Sequence, residues 1–144
     1  YNQQDRPVII CMLGDHCPNI LNFVDGEIQD VQQSDYVKKK TPLVVWSNIE
    51  LQDVNLDAVS SHAIIPTLMK MAGLPMSTYQ NEIYELTQEK GVLTSDGYLV
   101  KDNTFSSFSE KSVYDQVKDY YYMEYNDLKY KQDHREDLFV VKEK

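Results

Sequence analysis

The sequence predicts an α/β fold, a sheet with flanking helices that is incomplete on its own. Three observations predict it. Two short runs of β-branched and apolar residues, Pro7 to Leu13 and Pro42 to Trp46, have the continuous hydrophobicity of strands buried on both faces, as in a parallel sheet. Segments of helical period with clear start and stop residues follow the second run. Two or three strands are too few to complete a sheet that crossover helices would cover.

The first run, Pro7-Val-Ile-Ile-Cys-Met-Leu13, ends at Gly14, and the second, Pro42-Leu-Val-Val-Trp46, stops at Ser47-Asn48. Between them lies a polar connection, including Gln29 to Lys40, with room for a short helix. A helix is expected next. Ser60 or Ser61 would cap it, Pro66 is tolerated within its first turn, and Ile64, Ile65, Leu68, Met69, Met71 and Ala72 give it an apolar stripe. Gly73 suits the position after its last turn, and Pro75 prevents continuation. A second helix begins at Ser77, which has capping-box spacing to Gln80, and ends at Gly91. Leu93 to Val100 reads as a hairpin turning at Ser95-Asp96-Gly97. Thr104 to Ser112 reads as a loop. Val113, Val117, Tyr121 and Leu128 recur at helical spacing and predict one long amphipathic helix packing its tyrosines on the sheet. Leu138 to Val141 would be a final short strand in a charged tail.

With 144 residues the chain has the length of one ordinary domain, and 42% hydrophobic with 26% charged residues is a globular balance. A net charge of −9 repels phosphate backbones and anionic lipid, which argues against nucleic-acid partners. No apolar run approaches the roughly 18 residues that read as a bilayer span. Cys11 sits in an apolar run as a small hydrophobe and Cys17 lies outside it; two such cysteines make no disulfide framework.

The residues with most chemical content are Gly14-Asp15-His16, at the end of the first strand. In open α/β sheets, sites form beyond the carboxyl ends of strands. Glycine lets the chain turn there, Asp supplies a hard anionic oxygen and neutral His a nitrogen, a pairing suited to a divalent cation. Two ligands do not complete a site, and the same dipeptide also serves as an ordinary turn. His62, at the start of the first helix, reads as a partly exposed first-turn residue, and His134 as solvated. Lys38 to Lys40 read as a solvated basic loop. No Ser–His–Asp arrangement, Gly-rich phosphate loop or Cys–Cys metal spacing is visible.

In order, these motifs resemble the sulfatase-type domain of lipoteichoic acid synthases and related phosphoglycerol transferases, within the sulfatase and alkaline-phosphatase superfamily. The resemblance lies in Arg6 to Pro18 with its Gly-Asp-His; in Tyr36 to Asn48 with its Trp-Ser-Asn turn; in Ser61 to Gly73 with Pro66-Thr67-Leu68; in Leu74 to Tyr79; and in Tyr122 to Leu128. It covers most of the chain, and Gly-Asp-His is its most specific part. Two departures stand out: His62-Ala63 occupies a place where many relatives carry an Asp, and Cys17 follows His16.

The resemblance implies that residues 1–144 are the C-terminal segment of one alkaline-phosphatase-like catalytic domain. Asp15 and His16 would bind one divalent metal ion (manganese, zinc or magnesium), with the nucleophile and remaining ligands upstream. The parent would be a metal-dependent transferase or hydrolase acting on a lipid- or polymer-linked phosphate or sulfate ester in cell-envelope polymer synthesis. It would sit in the bacterial cell membrane with this domain extracytoplasmic. This segment alone would be soluble and inactive, prone to self-association where the missing N-terminal part normally packs. A non-catalytic relative that binds envelope polymer or a partner protein is the alternative.

Overall fold

In the computed structural model the described residues are 6–15, 40–54, 58–95, 97–99, 104–129 and 135–142. They form a mixed α/β architecture with two small antiparallel sheets and several helices. The chain divides into two compact units, Tyr1–Glu50 and Leu51–Lys144. Among the described residues no helix is long and apolar enough to cross a membrane.

The first unit holds strands β1 (Ile9–Leu13) and β2 (Leu43–Ser47). They pair antiparallel, with Ile9 opposite Ser47, Cys11 opposite Val45 and Leu13 opposite Leu43. The expectation of strands buried on both faces in a parallel sheet is therefore corrected. An apolar run records that a strand needs cover but not which way its neighbour runs, and the long connection between the strands allows either direction. Ile9, Ile10 and Cys11 are half-buried, whereas Met12 is 59% exposed and Val44, opposite it, 51%. Ser47 and Asn48 end β2 with side-chain bonds to the start of β1. The Asn48 side chain accepts from the Val8 N–H at 2.7 Å and donates to the Arg6 carbonyl at 3.1 Å, continuing the ladder where the strand ends. The Ser47 hydroxyl donates to the Val8 carbonyl at 3.1 Å.

The second unit begins with a single 3-10 turn, Ser61–Ala63, leading into helix α1 (Ile64–Met71). Neither Ser60 nor Ser61 caps it through a side chain. The Ser60 hydroxyl is engaged elsewhere, accepting from the Leu93 N–H at 2.8 Å and donating to the Leu93 carbonyl at 3.2 Å. The helix ends as expected at Gly73, whose φ of 66° is left-handed. There the Gly73 N–H reaches the Lys70 carbonyl and the Leu74 N–H the Met69 carbonyl, the paired bonds of a Schellman termination. Helix α2 (Thr78–Lys90) starts with a complete capping box: Gln80 N–H donates to Ser77 Oγ at 3.2 Å, and Ser77 N–H to Gln80 Oε1 at 2.9 Å.

Strands β3 (Val92–Leu93) and β4 (Gly97–Leu99) form the expected hairpin. A third strand, β5 (Phe105–Ser107), pairs with β4 where a loop was expected. Gly97 makes that pairing feasible, because a Cβ there would lie 2.1 Å from the Ser106 carbonyl oxygen. Ser106 and Ser107 give β5 weak strand propensity, and the close backbone approach at Gly97 admits it.

The expected single helix over 113–128 is two: α3 (Lys111–Tyr114) and α4 (Lys118–Lys129). Between them the Gln116 and Val117 N–H groups bond three residues back, to Val113 and Tyr114. This tighter winding shifts the angular phase, and Val117 and Tyr120 both end in the core. At about 100° per residue Tyr120, Tyr121 and Tyr122 cannot share a face. Accordingly Tyr120 is buried, Tyr121 half-buried against Phe108, and Tyr122 64% exposed. The expected final strand over 138–141 is instead a one-turn helix, α5 (Glu136–Phe139). Phe139 packs on the Tyr79 ring at 4.9 Å, a contact that a helical turn satisfies here. The core joins Ala63, Ile83, Leu93, Tyr98, Val117 and Tyr120.

Candidate metal centre

Gly14 leaves β1 with its N–H on the Pro42 carbonyl at 3.2 Å. A Cβ at Gly14 would stand 3.0 Å from the Thr41 Cβ, so the turn runs tight against the strand opposite. The next residue, Asp15, is exposed, immediately beyond the end of β1. A carboxylate in that place fits one oxygen-donor position for a hard divalent cation. His16, the second predicted ligand, and Cys17 lie outside the described residues. Among the described residues no three His, Cys, Asp or Glu side chains are grouped to hold a metal. Of the two predicted ligands only Asp15 lies among the described residues, and a metal held there would need further ligands. Cys11 is half-buried and unbridged, as the sequence suggests for a small hydrophobe.

In the second unit the structure assembles a polar feature that sequence reasoning passed over. The His62 ring stacks on Tyr120 with centroids 5.2 Å apart and 30° between planes. Its Nε2 is buried with no hydrogen-bond partner among the described residues. Burial holds the imidazole below its ordinary titration range. Burial also pushes the Tyr120 hydroxyl well above the usual tyrosine range, helped by the charge of Glu124 and a hydrogen bond to it. Tyr79 is raised too, first by burial and then by Glu124 and Asp127. The Ser-Ser-His sequence before α1 carries no sign of this, because Tyr120 arrives from a distant helix. The first-turn placement and partial exposure of His62 are as expected.

The remaining sequence candidates divide simply. Lys40 is exposed, while Lys38, Lys39 and His134 lie outside the described residues. Tyr114 stacks on Tyr121 with 16° between planes and centroids 5.8 Å apart. Compared with protein-family models, with curated proteins and with solved structures, the chain matches none.

Proposed function

We propose that this chain is the C-terminal part of a sulfatase-like, metal-dependent enzyme that transfers or hydrolyses phosphate or sulfate esters, most similar to the phosphoglycerol transferases of envelope polymer synthesis. The observation that carries the reading is the placement of Asp15. An exposed carboxylate follows a glycine turn at the end of an apolar strand, with a histidine next in sequence. Asp15 and His16 would hold one divalent ion, and the ion would polarise the ester oxygens and lower the pKa of a nucleophile carried elsewhere in the parent. The exposed Met12, Leu13, Leu43 and Val44 side chains of the β1–β2 ribbon are the surface through which the rest of such a domain, or a second copy, would pack.

Manganese alone tests the ligand assignment, since its paramagnetism broadens nearby amide resonances even when binding is weak. Titration of the chain should broaden resonances around Gly14 to Cys17 first, and Asp15→Ala should abolish that local effect while leaving other shifts unchanged. Broadening spread evenly over the acidic surface, and equal in Asp15→Ala, refutes the assignment.

A further inference from the structure

We propose that His62 and Tyr120 form an acid-sensitive latch in the 51–144 unit: neutral His62 lets α4 lie against the 3-10 turn before α1, and protonated His62 loosens that contact. The inference rests on how the ring is held. Its Nε2 is fully buried and has no acceptor or donor among the described residues, and one face lies on Tyr120, itself a core residue of α4. A neutral imidazole can leave Nε2 as a bare lone pair, protonated only at Nδ1. The imidazolium must carry an N–H at both nitrogens, and at Nε2 that charged donor has nothing to bond.

The groups around the ring do not supply the missing partner. On α4 the ring in contact is Tyr120, whose hydroxyl is raised first by burial and then by the charge of Glu124; Asp127 acts on Tyr79. On α1 the one charged side chain, Lys70, sits 5.4 Å over the Tyr84 ring. On α2, Tyr79 packs on Phe139, Glu82 and Glu85 are exposed, and Glu89 pairs with Lys90 at 2.7 Å. None of these has a hydrogen bond or ion pair to His62. Attraction between an imidazolium and the Tyr120 face opposes the loosening, but it is available only while the bare N–H stays buried. Burial lowers the titration range of His62 from 6.5, in the same direction as the geometry.

The sign follows directly. With the folded-state value below the unfolded one, the unfolded chain takes up the proton first as pH falls. The contribution of His62 is fully present above the unfolded value near 6.5 and is lost as pH falls from there towards the lower folded value. In that window the unfolding constant should rise by up to about tenfold per pH unit for one proton.

Urea unfolding of the full chain at pH 7.5, 6.5 and 5.5, with His62→Phe beside it, tests this. The expected result is an extra rise in the wild-type unfolding constant, up to about fivefold between pH 6.5 and 5.5 and up to about tenfold between pH 7.5 and 5.5, that the variant lacks. Identical pH dependence in both proteins overturns the proposal. Should His62→Phe fail to fold, the wild-type chain still decides it by NMR titration of the imidazole protons. One histidine titrating below 6.5, with Tyr120 ring resonances shifting at the same midpoint, supports the latch; all histidines titrating at or above 6.5 overturns it.

Discussion

Ser60 offers the sharpest test of how the second unit is held together. It is 5% exposed, and its hydroxyl both accepts from the Leu93 N–H at 2.8 Å and donates to the Leu93 carbonyl at 3.2 Å. Leu93 is 6% exposed and lies on the β3 edge away from β4, so the hydroxyl stands where a further strand would otherwise bond. Removing it in Ser60→Ala strands a buried donor, at about 1–3 kcal/mol, and loses a second bond of about 0.5–1.5 kcal/mol. The expected destabilisation is about 2–4 kcal/mol, read as a lower urea midpoint at unchanged m-value. Two companions separate this role from helix capping. Ser61→Ala removes an exposed hydroxyl and should change stability by less than about 0.5 kcal/mol. Ser60→Asp keeps an excellent capping oxygen but, ionised, cannot donate to the Leu93 carbonyl, so it should destabilise at least as much as alanine. A Ser60→Asp protein as stable as wild type, or a Ser60→Ala loss below about 0.5 kcal/mol, refutes the reasoning.

Two further variants probe elements on either side of that bridge. Ser77→Ala removes the side-chain half of the capping box at α2, the Gln80 N–H to Ser77 Oγ bond, and should cost about 1 kcal/mol in urea melts, while Ser77→Asp should recover most of it; equal losses in both would assign Ser77 a packing role. Gly97→Ala should be far worse, because the added Cβ would sit 2.1 Å from the Ser106 carbonyl oxygen and 2.7 Å from the Phe105 ring. Hydrogen exchange should then show β5 amides unprotected, and full protection of Phe105 to Ser107 in Gly97→Ala would contradict the close approach.

Capping and turn chemistry was legible from the residues alone. Ser77 with Gln80, Gly73 followed by Pro75, and Gly91 each act through hydrogen bonds or dihedral preferences a few residues wide. Errors arose wherever the deciding partner was remote. The run from Ile9 to Leu13 was correctly a strand, yet its direction of pairing depended on β2. Phe105 to Ser107 became a strand because Gly97 admits its backbone, and Leu138 lies in a helical turn rather than a strand where Phe139 meets Tyr79. The candidate site shows the same division. Asp15 stands beyond the end of β1 as the Gly-Asp-His spacing suggests, whereas nothing near His62 in sequence foretells that Tyr120 covers it.

What the residues dictate on their own is the local grammar of the chain: where α2 opens, where α1 and α2 close, and that Asp15 follows a glycine. These depend on interactions reaching no further than about one helical turn, so any fold of this chain would use them. What three-dimensional packing adds is partnership. It sets β1 against β2 antiparallel, spends the Ser60 hydroxyl on a strand 33 residues away, and buries Tyr120 while exposing Tyr122. Each of these is chosen by burial summed over distant segments, and a hydrophobic pattern records only that burial is needed, not which neighbour supplies it.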